Sequence, residues 1–398
     1  MKKYLLIIAA TALTMIGCTS NDTLKQDVSN EKIPFTFSAY SSKPTKANSS
    51  ALNDFYTKFN VYGWKKVNGT WNTTNPVFDN VTNEYFTADG KGSIYPAAGS
   101  LTVAGEWGTI QGATPFPAWY YKDIRFWDKF ATNYQFCAYV PVTASSDVAC
   151  THLGVITIGT SANPVTVDPK DLMATPATTL AYTGFDYDYM TATSTDMTSA
   201  VNLVFTHELA KFNVKLILDP TITTNQDVVV DEVSLKNLNG TSYYESNNES
   251  AAGYLSGWKN PSTEVEYKAD GVGTATTGYK LNGTNAGTDN FDGYYVMERL
   301  MIPQSAAKAV DGTSGDPINS QITEFAEPCV YVKYTIGSEP FEGYYALANL
   351  FIGAGSGASF DFEGGNEYTL NITVGPRPIY FTTSVTAWTN HDAALAAD

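Results

Sequence analysis

Apolar residues recur at every second position along much of the chain, and this period decides the fold class. Phe212, Val214, Leu216 and Leu218 form one such run, Val330, Val332, Tyr334 and Ile336 another, and Tyr368, Leu370, Ile372 and Val374 a third. Successive side chains of a strand point to opposite faces, so each run turns one apolar face toward a core. Other strand-like pieces cover residues 59–64, 136–141, 154–158, 201–205, 228–235, 294–303, 344–350 and 379–388, while Asn68-Gly69, Asn239-Gly240 and Asn282-Gly283 supply turns. No long segment carries a helical period. Many short strands bounded by turn signals predict an all-β protein made of β-sandwiches. The 398 residues suffice for two. The small, polar stretch Thr191–Ala200 interrupts the pattern, so one sandwich is expected over 47–197 and a second over 198–398, closing on a strand at 379–388.

The N-terminus reads as an address. Lys2 and Lys3 precede an apolar stretch from Tyr4 to Gly17, and Cys18 follows. A basic start with so short an apolar region is a secretion signal, residues 1–17. It falls short of the roughly 20 apolar residues a spanning helix needs. Met15-Ile16-Gly17-Cys18 resembles a bacterial lipobox, which makes Cys18 the acylated mature N-terminus and lipid the sole membrane anchor. Residues 18–46 then hold a polar tether and the alternating segment Ile33-Pro34-Phe35-Thr36-Phe37-Ser38-Ala39-Tyr40, with Ile33, Phe35, Phe37 and Ala39 on one face. Ser41–Ser50 has no large apolar residue and reads as an exposed loop open to proteases.

Charge and side-chain inventory exclude several functions. With 24 Lys+Arg against 40 Asp+Glu the net charge is −16, and nucleic-acid binding needs the clustered cations this chain lacks. The three histidines, His152, His207 and His391, sit in no HExxH motif and beside no local cluster of cysteines and carboxylates, so no metal or cofactor is expected. No GxSxG elbow is present. Paired carboxylates are uninformative in so acidic a chain. The chain therefore reads as no enzyme. The aromatic clusters Trp119-Tyr120-Tyr121, Phe126-Trp127, Tyr243-Tyr244 and Tyr294-Tyr295 read as core or interface filling ahead of a sugar-stacking platform. With Cys18 lipidated, Cys137, Cys150 and Cys329 remain. Two readings stand: a Cys137–Cys150 disulfide across a short loop, or three buried thiols.

Several of these features together resemble the fimbrillins of Bacteroidales, the subunits of type V pili. They are the lipobox Cys18, the tether, the following strand, Lys46 with Ala47 after it, Asp171-Leu172-Met173, the block Val201–Val214 (VNLVFTHELAKFNV), and a closing strand ending Val385-Thr386-Ala387-Trp388. The resemblance implies two transthyretin-like β-sandwich domains in tandem. It also implies a lipoprotein precursor at the outer membrane, cleavage between Lys46 and Ala47, and polymerisation by strand exchange. In that scheme Ile33, Phe35, Phe37 and Ala39 fill a groove in the precursor, and a donor strand carrying Ile379, Phe381, Val385 and Trp388 fills it in the polymer. Family members are usually cut after Arg, so Lys46 implies a trypsin-like or Lys-accepting protease. The implied partners are other pilin subunits, the processing protease, and a surface glycan or protein. The implied role is a structural fimbrial subunit supporting adhesion; an accessory tip or anchor pilin and a glycan-binding surface lipoprotein are the other readings.

Overall fold

The period-two runs become strands whose apolar faces are buried. A computed structural model describes residues 35–41, 50–51, 58–86, 118–121, 125–140, 142, 145–166, 190–195, 200–222, 227–248, 251–252, 254–259, 263–269, 279–282, 294–308, 327–352, 357–375 and 379–387. The first half contains β1 (Thr36–Ser41), β2 (Ser50–Ala51), β3 (Lys58–Val67), β4 (Thr70–Trp71), β5 (Phe78–Phe86), β6 (Ala118–Tyr121), β7 (Ala131–Val140), β8 (Val148–Cys150), β9 (Ile156–Ile158), β10 (Val165–Thr166), β11 (Met190–Ser194) and β12 (Ala200–His207). The second holds β13 (Ala210–Leu218), β14 (Asp227–Asn239), β15 (Thr241–Ser242), β16 (Tyr244–Glu245), β17 (Tyr254–Leu255), β18 (Trp258–Lys259), β19 (Glu264–Lys268), β20 (Tyr279–Asn282), β21 (Tyr294–Met301), β22 (Gln304–Ala307), β23 (Cys329–Ile336), β24 (Glu339–Ala346), the short helix α1 (Leu347–Ile352), β25 (Ser359–Phe362), β26 (Asn366–Val374) and β27 (Tyr380–Ala387). The protein is all-β, as the alternation predicts.

One nine-stranded sheet encloses the first core, in the order β2-β1-β12-β11-β7-β3-β5-β6 with β4 on β3. It rolls over until β1 meets β6: the Tyr121 hydroxyl donates to the Phe35 carbonyl at 3.1 Å, and the Phe37 and Tyr121 rings lie 5.8 Å apart. The second core lies between two sheets, β21-β13-β26-β27 and β19-β14-β23-β24 with β20 on β14. Phe212, Val214 and Leu216 of β13 and Leu370 and Ile372 of β26 meet Val228, Val230, Val330 and Val332 across it. All these residues lie on the alternating positions read from the sequence.

The boundary differs from the one expected at 197/198. β12 pairs with β1 and β11, and β11 pairs with β7 in the register Thr193↔Cys137, so both complete the first sheet. Thr191–Ala200 resembles a linker because its residues are small and polar. Yet Thr suits a pleated strand, and residues 190–194 pair with β7. The first sheet ends at His207 and the second begins at Ala210.

Beyond this crossing the halves share hydrogen-bonded strands. A five-stranded sheet, β17-β18-β16-β9-β8, takes two strands from the first half and three from the second, joined where Ile158 pairs with Tyr244. Beneath it Trp64, Cys137, Tyr139, Ile156 and Ile158 pack with Tyr244, Trp258, Leu300 and Ile302. The Trp258 indole N–H donates to the Glu208 carbonyl at 2.6 Å, and the Gly365 N–H donates to the Leu209 carbonyl at 2.9 Å. A Cβ on Gly364 would meet the Glu208 carbonyl oxygen at 2.7 Å, so that close approach requires glycine. Just past the crossing Lys211 is buried, ion-paired with Glu298 and 4.0 Å from Glu367, whose carboxylate also accepts from Asn213 at 2.5 Å. Two carboxylates compensate the buried ammonium, which would otherwise oppose folding strongly.

Candidate strand-exchange interface

β1 is a foreign-looking element in the first sheet. It runs parallel to β12, from Thr36↔Ala200 to Ser41↔Phe205, and its other neighbour is the two-residue β2. Parallel neighbours need a long connection, so β1 is joined to its partner only through most of the first half. Its apolar face supplies much of the core. Phe35, Phe37 and Ala39 are all buried. The Phe35 ring contacts Phe78, Trp127, Tyr134 and Phe136, with centroids 4.1–5.7 Å away. Phe37 contacts Phe59, Phe78, Tyr121 and Phe136 at 5.3–6.2 Å. Without β1, these aromatic side chains would line an open groove beside the unpaired edge of β12, the arrangement that captures an added strand. Burying Phe35 and Phe37 contributes roughly 3–6 kcal/mol, an upper bound because unfolded chains already bury some surface.

Tyr121 fastens the entry of β1. Its hydroxyl donates to the Phe35 carbonyl and accepts from the Arg125 N–H at 3.3 Å, and the Phe35 N–H donates to the Arg125 carbonyl at 3.0 Å. Burial pushes the Tyr121 phenol up to about 12. The groove thus holds the neutral phenol. The associated stability is whole below the ordinary tyrosine value near 10 and is lost as pH rises toward about 12. Between about pH 9 and about pH 11.5 the urea midpoint of the first core should fall further in the native protein than in Tyr121→Phe, by a difference worth roughly 1–2 kcal/mol. Other buried tyrosines contribute equally to both proteins and cancel in the comparison.

The C-terminal strand is held more loosely. β27 pairs antiparallel with β26, from Thr373↔Tyr380 to Asn366↔Ala387, and is the last strand of its sheet among the described residues. Ile379 is buried, and Phe381 is half-buried with its ring 4.5 Å from Tyr345. Val385 is 47% exposed. Among the described donor side chains, coverage thus declines along the strand from buried Ile379 through half-buried Phe381 to exposed Val385. Of the other expected site residues, Cys18, Ile33, Lys46, Ala47 and Trp388 lie outside the described residues, as does Asp171-Leu172-Met173.

The aromatic clusters divide between core and surface among the described residues. Trp119, Tyr121 and Tyr244 are buried, and Trp127 packs on Phe35; Phe126 is exposed. His207 ends β12 as a buried residue. Among the described residues no group of three or more His, Cys, Asp and Glu could hold a metal ion. No described helix is long and apolar enough to cross a membrane. The block Val201–Val214, read as a family feature, turns out to be the crossing itself: β12, the bend at Glu208-Leu209, and β13. Sequence reasoning missed the small aromatic and glycine contacts that fix this bend. Trp258, lying close to Gly257 in a turn-rich stretch, was the available signal.

The fold combines a rolled β half whose N-terminal strand β1 runs parallel to β12 with a second half that ends in the edge strand β27. The chain belongs to the fimbrillin-like family, whose sequence model matches residues 45–388. That membership implies a fimbrial subunit at the cell surface with other pilin subunits as partners. Among solved structures, a fimbrial protein from Bacteroides vulgatus is similar at 13% identity and a TM-score of 0.50, over 89% of this chain and 99% of the other. The tip fimbrial protein Mfa3 from Porphyromonas gingivalis, with a C-terminal truncation, is 11% identical with a TM-score of 0.41, over 90% of this chain and 100% of that one. The fimbrial anchor protein Mfa2 from the same organism is 11% identical with a TM-score of 0.30, over 89% and 97%. No curated protein matches the chain in sequence.

Proposed function

We propose that the chain is a structural subunit of a cell-surface fimbria that polymerises by protease-triggered strand exchange. The precursor is acylated at Cys18 and carried to the outer membrane. A protease cuts between Lys46 and Ala47, β1 leaves, and the C-terminal strand of a neighbouring subunit takes its place. The observation that carries this reading is the seating of β1, whose Phe35 and Phe37 complete a core that the rest of the first half leaves open.

The energetics favour the exchange. β27 buries Ile379 and part of Phe381 on its own sheet edge, whereas the β1 groove buries large side chains fully. A strand that moves from the edge of one subunit into the groove of the next therefore gains apolar burial. Donor and acceptor are different surfaces, so the contact repeats head to tail into a filament. Adhesion follows from display of that filament at the cell surface. Mass spectrometry of the subunit recovered from the cell surface tests the maturation: the mature chain is expected to begin at Ala47. An acylated Cys18 in the assembled form contradicts the cleavage.

A further inference from the structure

We infer that Cys137 and Cys150 form a disulfide that fastens the rolled sheet of the first half to the strands bridging into the second. Cys137 lies in the middle of β7, buried, paired with Tyr62 on one side and Thr193 on the other. Cys150 ends β8 and is half-buried. The β8–β9 hairpin lies over the outer face of the rolled sheet: Val148, Ile156 and Ile158 share one apolar cluster with Trp64, Cys137 and Tyr139, and Cys150 packs against it. The Cys137 thiol approaches the carbonyl of Thr151, the residue after Cys150, at 3.9 Å. Further along the same hairpin, a Cβ on Gly154 would meet the Gln135 side chain at 2.8 Å, so the hairpin is held tightly against β7.

Cys329 belongs elsewhere. It is buried on β23, opposite Ala346 of β24, within the sheet of the second core. The odd number of thiols left after lipidation therefore resolves into one pair and one buried single cysteine.

The chemistry is exchange with an external disulfide, either a small-molecule disulfide or a dithiol oxidoreductase of the cell envelope. The more accessible Cys150 thiolate attacks one sulfur of that disulfide and displaces one thiolate. The Cys137 thiolate then attacks the Cys150 sulfur and displaces the second. Two cysteine thiols are oxidised, one external disulfide is reduced to two thiols, and the two protons lost by the cysteines end on the leaving thiolates. An exported protein meets such oxidants. Burial raises the Cys150 thiol well above its ordinary range, so the bond forms mainly during folding, and the closed bond is shielded afterward.

The bond joins elements that belong to different sheets and meet through side chains in one apolar cluster. β9 pairs with β16 of the second half, so the staple would tie the rolled sheet to the shared sheet whatever strand occupies the groove. This inference does not depend on the strand-exchange reading.

The test uses the full chain, reduced and refolded in the presence of glutathione disulfide, then alkylated under denaturing conditions and mapped by peptide mass. A single peptide pair joining Cys137 to Cys150 is expected, with Cys329 alkylated. The oxidised protein should melt roughly 5 °C above the reduced one, as a loop of about 15 residues allows, and Cys150→Ser should abolish the difference. Recovery of both cysteines alkylated, a link from either to Cys18 or Cys329, or equal melting of oxidised and reduced protein would each overturn the inference.

Discussion

Cut after Lys46, the 47–398 fragment should assemble into filaments at concentrations where the uncut chain stays monomeric, as read by sedimentation and electron microscopy. The difference comes from tethering. While the chain is continuous, β1 competes for its groove at an effective concentration in the millimolar range or above. A neighbour's strand at micromolar concentration is about a thousandfold weaker as a competitor, equivalent to about 4 kcal/mol. Cleavage removes that advantage without altering a single contact of β1. The released strand dilutes away, while neighbouring donors stay covalently part of large subunits and accumulate along the filament. Equal polymerisation of cut and uncut protein would contradict the mechanism.

Deletion of residues 379–398 should leave a folded subunit that no longer polymerises after cleavage. β27 ends its sheet, so its loss breaks no interior pairing; β26 becomes the new edge. The second core loses the cover of Ile379 and part of Phe381, roughly 2–4 kcal/mol. The first core, with β1 in place, should keep its stability, because its apolar cluster contains no residue of this segment. A truncated subunit that retains the unfolding transition of the first core but forms no filament is the expected result. Filaments built from truncated subunits would place the donor elsewhere in the chain.

The sequence was most legible where strands are long enough to show their period. β13, β23 and β26 each run eight or nine residues with one apolar face, and their alternation was readable directly. The same holds for Phe35, Phe37 and Ala39, whose spacing alone places them on one face. What stayed hidden is nonlocal or too short to have a period. β16, β17 and β18 are two residues each, and the pairing of β16 with β9 joins positions nearly ninety apart, so the shared sheet has no local signature. The parallel partner of β1 was equally invisible, since nothing in 36–41 points to 200–205. Composition misled at Thr191–Ala200, where small residues that suit a linker also suit a strand flanked by larger neighbours. Lys211 offered no hint either, because its burial depends on Glu298 and Glu367 arriving from β21 and β26. The contrast between the two terminal strands, one seated and one exposed at its end, required the structure.

In the proposed assembly the groove left by β1 is the place where the next subunit docks. A synthetic peptide covering residues 33–41, added in excess to subunits already cut after Lys46, tests it most directly. The peptide should refill the groove and slow filament growth in proportion to its concentration, and a version with Phe35 and Phe37 replaced by Asp should have no effect. Unchanged growth at saturating native peptide would contradict the account.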